Sequence, residues 1–71
     1  MEAYKERMAA EYRELEERIK KLDAIIDRYY DGTLDFTLNC PIELLRAQRS
    51  AMGNYLNVLE IRAEIEGVVL W

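Results

Sequence analysis

The chain has no histidine, one cysteine (Cys40), one proline (Pro41) and three glycines in 71 residues. Each scarcity excludes something. Without histidine there is no Cys/His zinc site, and no Ser-His or Cys-His nucleophile pair within one chain. A lone cysteine builds no disulfide framework. The longest apolar runs are four or five residues, too short to span a bilayer. Basic residues are the minority: 10 Lys+Arg against 14 Asp+Glu give a net charge of −4. That balance disfavours general nucleic-acid coating, which needs a net basic face. The start of the chain does not read as a basic-then-apolar signal peptide. With a single thiol, the expectation is a cytoplasmic protein.

Short length adds a constraint. A domain of this size buries only roughly 60% of the surface its unfolded chain exposes. Below about 70–80 residues one core rarely supplies more than ~3–5 kcal/mol without a staple. Disulfides and Cys/His metal sites are excluded, so oligomerisation is the expected source of further stability. The 51% hydrophobic content is more than a single seam between two helices hides.

What is present is helical periodicity. From Glu2 to Tyr30 there is no Gly or Pro, and good helix formers dominate. Met8, Leu15, Leu22 and Tyr29 lie seven apart, as do Tyr12, Ile19 and Ile26. The rows interleave as a heptad stripe. The spacing predicts a helix over about 2–31, ended by Gly32 in the left-handed conformation. Residues 32–40 then read as a loop whose Leu34, Phe36 and Leu38 plug the end of a hairpin. Pro41 fits the first position of a second helix, because it lacks the amide that would go unpaired there. That helix runs over about 41–66. Its stripe is Leu45, Met52 and Leu59, with Ile42, Tyr55, Leu56 and Ala63 alongside. Gly67 stops it, and an apolar tail over 67–71 either folds back or docks on a neighbour. The expected fold is all-α: one domain, an antiparallel helical hairpin that assembles into a homo-oligomeric bundle.

Three groups break the pattern. Glu11 and Arg18 fall in one apolar row, and Gln48, Tyr55 and Arg62 in the matching row. They read either as an ion pair setting register, Glu11 with Arg62 and Arg18 near Tyr55, or as the rim of a ligand pocket. Arg46, Arg49, Ser50, Gly53, Asn54 and Asn57 share one side of the second helix. They read either as a solvated face with Gly53 at a helix crossing, or as a phosphate-binding strip. Tyr4, Tyr12 and Tyr55 are either core residues with wet hydroxyls or stacking platforms for a base. Glu14–Arg18 and Glu16–Lys20 have the i,i+4 order of helix-supporting pairs. Glu60, Glu64 and Glu66 have no accompanying His, so no metal or other cofactor is expected, and catalysis has no supporting constellation.

The first helix reads Tyr4-x-x-Arg7-Met8-x-x-Glu11-Tyr12-x-x-Leu15-x-x-Arg18-Ile19-x-Lys21-Leu22. The second reads Leu44-Leu45-x-x-Gln48-x-x-Ala51-Met52-x-x-Tyr55-Leu56-x-x-Leu59-x-x-Arg62. Over about residues 4–66 this resembles a group of short phage-encoded helical hairpins, relatives of a crAss-like phage open reading frame. They are similar to anti-CBASS and anti-Thoeris sponges, which assemble into oligomers and sequester nucleotide immune signals without cleaving them. The resemblance implies a phage counter-defence protein in the cytoplasm of an infected bacterium. On that reading it is not an enzyme, and its partners are itself and a cyclic oligonucleotide or ADP-ribose derivative. Arg46 and Arg49 would take phosphates, Tyr4 and Tyr55 would frame a base, and Arg7, Gln48 and Asn57 would supply directional hydrogen bonds. The competing class is a helical protein-interaction module that binds a host or phage protein through its apolar rows and tail.

Overall fold

The computed structural model describes residues 2–71. Among these, the chain forms two α-helices and no strand. Helix α1 spans Ala3–Asp31 and α2 spans Ile42–Glu66. They pack along each other as a hairpin of 45 × 18 × 17 Å. No described helix is long and apolar enough to cross a membrane.

Both helices end on glycine. Gly32 has φ 74° and Gly67 φ 70°, a region that costs glycine nothing and other residues a steric penalty. At the first stop, Thr33 N–H donates to the Arg28 carbonyl at 2.9 Å and Gly32 N–H to that of Tyr29 at 3.2 Å. At the second, Val68 N–H donates to the Ala63 carbonyl at 2.8 Å. These are Schellman closures, which bring the residue after the glycine against the last turn. Val68 and Ala63 accordingly both lie in the core. At the start of α2, Pro41 stands one residue outside the helix, extended at φ −61° and ψ 146°. The expectation placed it at the first helical position. It acts instead as the flanking residue, with its carbonyl accepting the Leu44 N–H at 3.0 Å.

The core follows the heptad stripe of α1: Met8, Tyr12, Leu15, Ile19 and Leu22 are buried, with Ala9 beside them. From α2 it takes Ile42, Leu59 and Ala63, with Met52 and Leu56 packed at its edge. Leu59 and Leu70 are the deepest side chains, 1% and 2% exposed. Leu70 belongs to the tail. The extended tail alternates: Val68 and Leu70 point in, Val69 and Trp71 point out. The tail therefore folds back on its own hairpin and closes the end opposite the connector.

Four local expectations fail. Phe36 does not plug the hairpin; it is exposed, and only Leu34 and Leu38 are half-buried. Arg28 ties the connector down from outside, through Asp35 at 3.2 Å and the Thr33 carbonyl at 3.5 Å. Glu11 and Arg62 do not pair. Arg62 finds Glu66 one turn along its own helix, with Nε and Nη2 at 2.9 and 3.4 Å from its carboxylate oxygens, and this local partner requires no reach across the seam. Arg18 does not approach Tyr55 but pairs loosely with Glu14 at 3.8 Å on the exposed face. Among the described residues, Glu16 and Lys20 form no ion pair.

Candidate functional site

The seam divides the polar side chains into two flanks. On the first, Arg49 of α2 meets Asp23 of α1, with Nε donating to Oδ1 at 2.7 Å. A Cβ built on Gly53 would lie 2.6 Å from Arg49 Nη1, so the guanidinium lies across the bare backbone at Gly53. This accounts for a mid-helix glycine that costs roughly 0.5–1 kcal/mol relative to alanine. Only Nε of Arg49 is spent on Asp23, and the Nη groups have no hydrogen-bond acceptor among the described residues. Arg46 adds a second guanidinium, whose Nη1 reaches the Tyr30 hydroxyl at 3.4 Å, a long and weak bond. Together with Ile26, Ser50 and Glu43 these groups line a shallow groove of about 400 Å³. Asp23 and Glu43 balance the two arginines. Anion recognition there would rest on directional guanidinium donors, not on a net positive field.

Farther along that flank, the Tyr12 hydroxyl donates to Glu60 Oε1 at 3.4 Å. Burial, and next the negative charge of Glu60, push the Tyr12 phenol above its ordinary value. Glu60 and Glu66 thus each serve a neighbour, Tyr12 and Arg62 respectively.

The second flank carries Tyr4, Arg7 and Glu11 of α1 with Gln48, Tyr55 and Arg62 of α2. The Tyr55 hydroxyl donates to Glu11 Oε1 at 2.6 Å. That bond to a carboxylate raises the phenol above the ordinary tyrosine value. Arg62 is held in its charged form chiefly by Glu66, with smaller support from Tyr55 and Tyr4. Both tyrosine rings remain partly open to solvent.

The seven residues singled out from the sequence therefore fall into two groups. Arg46 and Arg49 share the groove, with Asn57 exposed on the same side of α2. Tyr4, Arg7, Gln48 and Tyr55 lie across the seam, and all four are exposed. Within one hairpin the arginine pair and the tyrosine pair do not converge. Sequence reasoning missed Asp23 and Tyr30 as partners, because neither breaks a pattern. It also missed a row on the outer side of α2: Leu44, Ala51, Val58 and Ile65, all exposed and all seven apart. That row carries the same heptad signal as the core stripe.

The Sequestin family model matches residues 2–65. The chain belongs to the Sequestin family. No curated protein and no solved structure matches it. The family match covers both flanks, the connector and nearly all of α2. Val68 and Leu70, which close the core, lie beyond the matched residues.

Proposed function

We propose that this protein sequesters a nucleotide-derived immune signal without cleaving it. The signal would be a cyclic oligonucleotide or an ADP-ribose derivative. The protein would act as a phage counter-defence factor in the cytoplasm of an infected bacterium, as a homo-oligomer with its sites where subunits meet. The family name denotes sequestration and supports the binding role. The observation that carries the reading is the seat of Arg49: one edge fixed by Asp23, the plane resting on Gly53, and the Nη donors turned to an open groove shared with Arg46 and Ser50. A pre-oriented guanidinium loses little freedom on meeting a phosphate. The tyrosines of the opposite flank would frame the base, and Arg7, Gln48 and Asn57 would add directional hydrogen bonds.

Calorimetric titration with cyclic ADP-ribose and with a cyclic dinucleotide tests this. A charge-assisted hydrogen bond contributes roughly 1.5–3 kcal/mol. Arg49→Ala should therefore weaken binding of whichever probe is held by about 10- to 100-fold. Unchanged affinity would remove Arg49 from the site, and a wild-type protein that holds neither probe counts against the nucleotide reading. The second reading, a protein-interaction module, draws on one specific observation, the exposed row Leu44, Ala51, Val58 and Ile65.

A further inference from the structure

We infer that the outer face of α2 is the contact for a second copy of this chain, joined antiparallel about a two-fold axis near Asn54 and Tyr55. Leu44, Val58 and Ile65 are 59%, 49% and 79% exposed, and Ala51 completes their row. Ile61 and Tyr55 flank it, also exposed. The row runs 21 residues, about 32 Å at 1.5 Å per residue. An occupant must be straight, apolar and equally long, which describes a helix and not a loop or a small ligand.

Charge narrows the choice. The chain is 34% charged, yet between Leu44 and Ile65 this face presents only Arg62, already neutralised by Glu66. Depletion of charge at the centre with polar groups at the rim is the composition of a protein–protein contact. An isologous contact needs only one patch that complements itself, and this patch does. Antiparallel pairing sets Leu44 opposite Ile65 and Ala51 opposite Val58. The bulky pairs fall at the two ends and the small pairs at the centre, where the helices approach closely. It also aligns the helix dipoles head to tail and keeps Arg62 away from its own copy.

Area points the same way. The chain exposes 5250 Å², where a compact monomer of its mass exposes roughly 4600 Å². Its radius of gyration is 15.0 Å, against about 11 Å for a compact chain of this length. A stable pair covers about 800 Å² per partner, and the chain exceeds a compact monomer by roughly 650 Å², which is of that order. In a two-fold pair of antiparallel helices, like margins meet. The Tyr55 rings of both copies then share one side of the axis, each flanked by its own Gln48 and by Arg62 of the second copy. The tyrosine flank, open in one hairpin, becomes a cleft walled by two chains. The pairing leaves Arg46 and Arg49 outside the contact, so the groove they line stays separate from the shared cleft, which Arg62 faces instead. This last step rests on the nucleotide reading above; the pairing itself does not.

Sedimentation equilibrium without ligand tests the pairing. The wild type should run at twice the chain mass, and Val58→Lys and Ile65→Lys should each run at the chain mass with unchanged helical circular dichroism. Both positions are exposed in the hairpin, so the two variants check each other's folding. In a Cys40→Ser background, Leu44→Cys chains mixed with Ile65→Cys chains should form a mixed disulfide, and neither should cross-link with itself. A monomeric wild type, a dimer that survives both lysines, or a Leu44→Cys self-cross-link overturns the proposal. A monomeric wild type would assign the face to a foreign helix. Cyclic ADP-ribose and a cyclic dinucleotide are then offered to each species. A wild-type dimer that ignores both probes sinks the nucleotide reading and leaves the pairing standing. Retention of a probe by the wild type and at least a tenfold loss in folded Val58→Lys supports a site shared between copies. Equal retention by both overturns the shared cleft.

Discussion

Gly53 shows how one missing side chain sets the direction of another. Alanine is favoured over glycine in a helix interior by about 1 kcal/mol, so Gly53→Ala should raise the melting temperature slightly. The new Cβ would collide with Arg49 Nη1, the mobile end of a long side chain, which would swing off Asp23. Probe binding should therefore fall while stability does not; a higher melting temperature with intact binding would deny the Arg49 seat any role. The tyrosines make a separate prediction. Tyr12 and Tyr55 both have phenols raised above the ordinary value near 10. Their contribution is complete below the unfolded value and is lost as pH climbs through the folded one. Stability should fall above about pH 10, and Tyr12→Phe with Tyr55→Phe should flatten that fall, read as melting temperature against pH. Neither arrangement was fully legible in the sequence. Gly53 stood out as a broken rule and Tyr55 as a seam anomaly. Their partners, Arg49 at i−4 and Glu11 across the seam, depend on rotamers that no spacing encodes. Arg62 illustrates the limit: charge complementarity suggested Glu11, but a partner one turn away in the same helix won.

The elements were the most legible level, because each is written in short-range physics. An uninterrupted stretch of helix formers made α1, Pro41 and Gly67 bounded α2, and seven-residue spacing named most of the core. The connector and tail were less legible, since both are short alternating apolar segments with no local rule to choose their side. The structure separates them. The connector leaves Phe36 in solvent, whereas the tail buries Leu70 to 2% exposure. Leu70→Ala and Leu59→Ala should each cost about 2–5 kcal/mol, a large share of what a chain this short commands. Trp71→Ala, at a position 89% exposed, should cost next to nothing in the hairpin. Chemical denaturation of the three variants checks the ranking. A Leu70 variant as stable as the Trp71 variant would mean that the tail is not part of the core.

At the scale of the whole molecule, α2 has apolar rows on two sides and α1 covers one. The outer row has the same seven-residue spacing as the core stripe, so spacing alone does not tell which of the two rows α1 covers. A pairing that completes the structure makes stability depend on concentration. The melting temperature of the wild type should rise with protein concentration, and that of Val58→Lys should not. The split between the arginine flank and the tyrosine flank has the same origin. Residues gathered by helical periodicity share a helix, not a pocket, and a second chain is what can close the tyrosine side. Native mass spectrometry of the protein with cyclic ADP-ribose and a cyclic dinucleotide tests the central claim most directly, because it reads assembly, occupancy and ligand integrity together. The account predicts a dimer that retains one probe at its intact mass. A monomer, an assembly that retains neither, or a probe returned cleaved would contradict it.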